Sequence, residues 1–194
     1  STPAEIEDPM AKSPSRLGPL PGDPTKAEMV ERMIRVDQAG EFGAKRIYAG
    51  QIAVLGLTED GPLLREMAAT EERHLDRFNT MLTQRRVRPT ALSPVWHIAG
   101  FALGAGTALL GREAAMACTV AVEEVIEEHY QGQSDALGDT EPELKAVIDE
   151  FRADEIGHKE SALEAGAENA PGYPILSAAV KTGSRLAIWL SERV

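Results

Sequence analysis

The chain has 194 residues, 43% of them hydrophobic and 26% charged, which predicts one globular domain with a sizeable core. Its formal net charge of −11, from 31 acidic against 20 basic residues, argues against a nucleic-acid partner, which would call for a basic face. The lone cysteine, Cys118, excludes an internal disulfide and a multi-thiolate metal site, so a bound metal would take mainly oxygen and nitrogen ligands.

Residues 1–24 carry six prolines and no apolar run or periodicity. They read as a flexible Pro-rich arm with no visible signal peptide, and the folded domain is expected over residues 25–194. Thr25-Lys26-Ala27-Glu28 is a capping-box pattern that opens a long helix. On it Ile34, Gln38, Glu41, Ala44, Tyr48, Ile52 and Leu55 share one face, so Glu41 sits within a mostly apolar stripe. Gly56 and the run from Thr58 to Pro62 end this helix and start the next, which is expected to stop near Val87 before Pro89.

That second helix carries Leu64, Met67, Ala68, Leu75, Phe78 and Leu82 at helical spacing, with Glu71 and His74 inside the stripe. Ser93-Pro94 then opens VWHIAGFALGAGTALLG, which has no charged residue apart from the titratable His97. It is expected to be a buried core helix, with an interfacial or pocket-lining helix as the next reading and a membrane span the last, because its prolines and glycines weaken it as an isolated helix. Gly100 and Gly104 form a small-xxx-small pair that permits close helix approach. The helix is expected to continue through REAAMACTVAVEEVIEEHY, where Met116, Val120, Glu123, Ile126 and Tyr130 share a face. Periodicity alone leaves Glu123 and Glu127 as rivals for the inward position.

The polar run Gln131–Asp139 reads as a loop or frayed end, and Thr140-Glu141-Pro142-Glu143 as a second capping box. The helix that follows places Glu155 and His158 among Leu144, Ile148, Phe151 and Ala162, and fades near Gly166. After a turn at 171–174 comes an amphipathic helix. Its apolar face holds Ile175, Leu176, Ala179, Leu186, Trp189 and Leu190, and its Lys181, Arg185 and Arg193 are placed to meet anionic headgroups. Packing of this helix on the bundle is the competing expectation. No strand-like alternation is present, so the class is all-α. Residues 25–82 and 112–163 resemble each other weakly: each has one helix with a single Glu, then one with Glu-x-x-His.

Residues three apart on a helix point the same way, so each Glu-x-x-His step aims a carboxylate and an imidazole into the core. Unpaired carboxylates buried there cost several kcal/mol each, or stay protonated, unless a cation compensates. One Glu from each of two helices, with a Glu-x-x-His from each of two others, is the ligand set of ferritin-like di-iron and di-manganese bundles. Four carboxylates and two neutral imidazoles carry a charge of about −4, which balances two divalent ions. The spacing therefore predicts a ferritin-like four-helix bundle with additional amphipathic, membrane-associating segments.

The stretches RVDQAGEFGAKRIYAGQ, FALGAGTALLG, ACTVAVEE and LAIWLSER resemble the demethoxyubiquinone hydroxylase family of ubiquinone biosynthesis, over about residues 29–194. The resemblance implies metal ligands at Glu41, Glu71, His74, Glu123, Glu155 and His158, and so selects Glu123 over Glu127. It places His129 and Tyr130 near the centre, either supporting the ligands or serving a structural role. It implies two iron ions (Fe2+/Fe3+), O2 as co-substrate, and hydroxylation of a polyprenyl demethoxyubiquinol ring at a membrane surface. That surface would be the cytoplasmic face of a bacterial membrane or the matrix face of the mitochondrial inner membrane. No Rossmann fingerprint is present, so electrons would come from a partner, from a directly bound reductant such as NADH, or from the quinol itself. A lipid-binding partner protein of the pathway and a homo-oligomer complete the partner expectations. The rival readings are a ferritin-like ferroxidase and a non-catalytic quinone- or lipid-binding scaffold.

Overall fold

The computed structural model describes residues 21–194, so most of the predicted N-terminal arm lies outside the described residues. Among them are six α-helices and one 3-10 turn. They are α1 (Lys26–Leu55), α2 (Gly61–Arg85), α3 (Ser93–Leu109), α4 (Arg112–Leu137), α5 (Pro142–Glu164) and α6 (Tyr173–Ser191), with the turn at Ala167–Asn169. The four long helices α1, α2, α4 and α5 form the bundle. Lys45 reaches Glu72 and Gln38 reaches Asn79, which sets α1 antiparallel to α2. Ser134 and Lys145 both bond Asp149, and Glu127 pairs with Arg152 and Lys159, which sets α4 antiparallel to α5.

Local chemistry explains most of the boundaries. The Thr25 hydroxyl accepts from the Glu28 N–H while the Glu28 carboxylate accepts from the Thr25 N–H, so the capping box forms as expected. Pro62 falls in the first turn of α2. Asp60, buried just before α2, accepts two hydrogen bonds from the Arg112 guanidinium at 2.9 and 2.6 Å, which ties the α1–α2 connection to the start of α4.

Four expectations need correction. The helix opened at Ser93 does not run on into the Glu123 segment: Gly111, at φ +128°, breaks the chain between α3 and α4. Residues 131–137 are helical, because Gln133, Ser134 and Leu137 are buried and extend the inner face of α4 by two turns. The second capping box is absent. The Thr140 hydroxyl donates to the Leu137 carbonyl at the end of α4, and Pro142 at the first helical position shifts the N-cap to Glu141. Most visibly, α3 is no core helix. It buries only Gly100, Gly104, Thr107 and Ala108, while Val95, Ile98, Phe101, Leu109 and Leu110 face outward.

What holds α3 is contact with α1 at helix-backbone distance. A Cβ on Gly104 would lie 1.9 Å from the Ile47 carbonyl oxygen, and one on Gly50 would lie 2.3 Å from the Phe101 oxygen. The Gly100–Gly104 pair therefore does allow the close approach its spacing predicted. Gly104→Ala is expected to destabilise the protein by about 3 kcal/mol or more, because backbone must move. Gly106→Ala, where a Cβ meets nothing within 4 Å, should instead stabilise by about 0.5–1 kcal/mol through helix propensity. Thermal melts of the two variants check the opposite signs.

α6 lies against α4 with Ser177, Val180 and Ser191 buried, while Ile175, Leu186 and Trp189 stay exposed. The expectation that this helix packs on the bundle holds, and it leaves an apolar face exposed. Its cations, however, are already engaged: Lys181 pairs with Glu124, Arg185 with Glu128 at 2.9 Å, and Arg193 stacks on Trp189 and pairs with Glu192. Trp96 donates to Ser191 and Thr90 to the Val194 carbonyl, joining the start of α3 to the end of α6. No described helix is long and apolar enough to cross a membrane.

Candidate metal centre

The apolar stripes of α2 and α5 face each other, so Glu71, His74, Glu155 and His158 point into one interior. Glu41 from α1 and Glu123 from α4 enter from the other side, and all six side chains are at least nine-tenths buried or close to it. They form two overlapping groups, Glu41–Glu71–His74–Glu155 and Glu71–Glu123–Glu155–His158, each with ligand atoms within 4.8 Å of one another. Glu71 and Glu155 belong to both. The arrangement thus has two positions for an ion, two shared carboxylates, and one carboxylate and one imidazole private to each position. Glu127, the sequence rival of Glu123, lies outside and pairs with Arg152 at 3.3 Å and Lys159 at 2.5 Å.

Buried polar atoms are normally hydrogen-bonded, and exceptions require an explanation. Among the six candidate ligands, the atoms without a hydrogen bond are both carboxylate oxygens of Glu71 and Glu155, one each of Glu41 and Glu123, and Nδ1 of His74 and His158. The unsatisfied atoms are the ones that face the two positions, and they are oxygen and nitrogen donors suited to a divalent transition metal. The residues present fit a dinuclear metal site. Burial, then the charge of Glu155, pushes Glu71 and Glu123 well above the usual carboxylate range. Burial also opposes a charge on His74, but Glu155 and Glu41 outweigh it and raise its pKa to about 10. Without a metal, then, the centre holds protons.

A second layer of side chains fixes the first. Tyr48 donates to Glu123 at 2.6 Å, and Tyr130 donates to Glu41. Burial, helped by the carboxylates nearby, raises both phenols well above their usual range and keeps them protonated as donors. The two bonds are reciprocal: Tyr48 stands seven residues after Glu41 in α1, and Tyr130 seven after Glu123 in α4. α1–α2 and α4–α5 are accordingly related by an approximate two-fold, the structural form of the weak internal repeat. Of the two residues placed beside the centre, Tyr130 touches a candidate ligand. His129 is one step further out, 3.5 Å from the buried Asp37 and hydrogen-bonded to Gln133. Sequence reasoning read Tyr48 as plain core, and it did not see Asp37, Gln133 or Asp154 as parts of the site. The matched seven-residue spacing was the signal available for Tyr48. The others carry none, since they act across helices.

The fold and the site together define a helical-bundle protein with a buried, paired carboxylate–imidazole centre able to hold metal. Residues 28–191 match the family described as ubiquinone biosynthesis protein COQ7, and the chain belongs to that family. It is 57% identical over 176 residues to a 3-demethoxyubiquinol 3-hydroxylase of Rhodospirillum rubrum, covering 90% of this chain and 83% of that protein. It is 53% identical over 169 residues to the human protein named NADPH-dependent 3-demethoxyubiquinone 3-hydroxylase, mitochondrial, covering 85% and 78%. The Dictyostelium discoideum protein of the same name is 52% identical over 181 residues, covering 92% and 83%.

Proposed function

We propose that this chain is a ferritin-like di-iron monooxygenase that hydroxylates the ring of a polyprenyl demethoxyubiquinol with O2, in ubiquinone biosynthesis. Its catalytic domain is residues 25–194. The reading rests on one observation above the rest, the convergence of Glu41, Glu71, His74, Glu123, Glu155 and His158 with their inward atoms left without hydrogen bonds. In it Glu41 and His74 would hold one iron, Glu123 and His158 the other, and Glu71 and Glu155 would serve both positions. Two irons so held would supply the chemistry for O2 reduction and transfer of one oxygen to an electron-rich ring. The protein keeps Tyr48 and Tyr130 as fixed donors that orient Glu123 and Glu41, and closes the site with Phe78 and Phe151. The human and Dictyostelium relatives are named NADPH-dependent, which supports a nicotinamide nucleotide as the reductant here.

Substrate access follows from the two short helices. An apolar groove of about 320 Å3 opens between α3 and α6, with Gly40, Ala44, Leu103, Val122, Ile126 and Ala187 among its lining. Its floor includes Gly40 and Val122, the immediate neighbours of Glu41 and Glu123. A polyprenyl tail stays in the bilayer, because each CH2 buried there is worth about 0.8 kcal/mol. The enzyme therefore comes to the membrane, and the outward Val95, Ile98 and Phe101 of α3 with Leu186 and Trp189 of α6 are the surface that meets it.

Product analysis tests the reaction. The iron-loaded protein, given a demethoxyubiquinol with O2 and reductant, should yield the ring-hydroxylated quinol carrying one atom of labelled oxygen. Oxidation of Fe(II) without any ring product would instead identify a ferroxidase. Membrane contact is checked separately. Trp189→Glu and Leu186→Glu should each weaken co-sedimentation with liposomes several-fold while iron content stays near the parent's. Loss of iron and of folding together would show that this face belongs to the core.

A further inference from the structure

The approximate two-fold that relates the halves of the bundle is broken where it touches the two imidazoles. Asp154 immediately precedes Glu155 in α5, and its carboxylate lies 3.0 Å from Nε2 of His74 across the bundle. The residue in the same place before Glu71 in α2 is Thr70, whose hydroxyl accepts from Arg73. Among the described residues, no side chain hydrogen-bonds Nε2 of His158. The ring environments differ in the same direction. His74 stacks on Phe151 with centroids 3.7 Å apart and has a fully buried side chain. His158 meets only the edge of Tyr48, at 6.1 Å, and its side chain is 11% exposed.

The same divergence recurs one layer out. Gln133, ten residues after Glu123, donates to Asp37, which stands four before Glu41. Gln51, ten after Glu41, donates to Thr119, four before Glu123. The position taken by His129, six after Glu123, is Ile47 in the other half. One end of the centre is surrounded by Asp37, His129 and Asp154, and the other by Thr119, Ile47 and Thr70. A metal-bound imidazole whose second nitrogen donates to a carboxylate is held in one tautomer and orientation and is a more basic ligand. Only His74 has that support.

We propose that the two metal positions are inequivalent and fill in order, the His74 position first and the His158 position second, with Asp154 as the positioning residue that sets the difference. The proposal rests on the dinuclear reading above. Anaerobic titration of the apo protein, full chain, with Mn(II) tests it, followed by calorimetry and by electron paramagnetic resonance. Two binding steps are expected. The first equivalent should give the signal of an isolated Mn(II), and the second should replace it with that of a coupled pair. His158→Ala should keep the first step and lose the second, whereas His74→Ala should lose the tight step. Asp154→Asn, nearly isosteric, should weaken the first step about 10- to 100-fold and leave the second in place, so that the two steps approach each other. A mere effect on folding would weaken both steps alike, and that result overturns the proposal. So would coupled pairs forming from the first additions, or a first step that survives in His74→Ala and vanishes in His158→Ala. No Mn(II) binding at all would remove the dinuclear reading itself, and this inference with it.

Discussion

Glu71→Ala is expected to leave the protein without a stable metal pair and to reduce hydroxylation to background. Glu71 belongs to both candidate ligand groups, so its removal takes a donor from each position at once and also the carboxylate that would link them. His158→Ala should abolish hydroxylation too, but it removes a donor from one position only. The fold should survive either change. In the metal-free state Glu71 is a buried group with no hydrogen bond to either oxygen, so losing it removes a desolvation cost that offsets the small cavity left behind. Glu127→Ala is the control. Its carboxylate is held by Arg152 and Lys159 outside the centre, and iron content and turnover should stay near the parent's. Iron by elemental analysis, a thermal melt and product yield, measured on the same preparations, separate loss of metal from loss of folding. If Glu127→Ala loses iron as fully as Glu123→Ala, the assignment of α4 is wrong.

A second large effect is expected in stability against pH. In the metal-free fold, burial and the Glu155 charge raise Glu71 and Glu123 well above 4.5, so they keep protons that the unfolded chain releases above that pH. Their contribution to stability therefore declines as pH rises past 4.5. His74 is raised from 6.5 to about 10, so its contribution is complete below 6.5 and is lost as pH climbs toward 10. Glu155 acts the other way: burial raises it, but His158 and His74 outweigh that and hold it near 2, which matters only below 4.5. Between about pH 5 and 8 the apo protein should thus melt progressively lower. Metal binding releases the same protons and tightens over this range. With free metal a thousandfold above Kd, the loaded form gains about 4 kcal/mol, or roughly 8–16 °C in a chain of this size. That gap should shrink to a few degrees near pH 5. Paired melts of apo and anaerobic Fe(II)-loaded protein measure it. Equal melting temperatures at neutral pH, with iron bound, would contradict a centre built from four buried carboxylates.

Much of the candidate site was legible before any fold was known, because two helical periods cross in it. Leu64, Met67, Leu75 and Phe78 mark the inner face of α2, and Glu71 and His74 fall on that face, where a solvated pair would not. The same reading works for Glu155 and His158 on α5. It failed for Glu123 against Glu127 because α4 is buried on every side from Ala114 to Glu123, which erases the contrast between faces that periodicity depends on. The third helix was misread for a related reason. An apolar, glycine-rich segment looks the same whether its greasy side meets protein, substrate or lipid. Only the contact of Gly100 and Gly104 with α1 shows that the small residues face inward and Ile98 and Leu109 outward.

The amino-acid sequence by itself determined most of the helices, their order, and five of the six polar side chains placed on otherwise apolar faces, and left Glu123 and Glu127 as rivals for the sixth. These follow from local rules of spacing, capping and turn residues, which act within a few positions along the chain. The tertiary structure alone decided which carboxylates are shared, since Glu71 and Glu155 meet both imidazoles only when α2 and α5 face each other. It also decided that Tyr48 serves Glu123 while Tyr130 serves Glu41, and that Asp154 reaches His74 rather than the histidine of its own helix. Those contacts join residues 75, 89 and 80 positions apart, and no short-range rule along the chain specifies them.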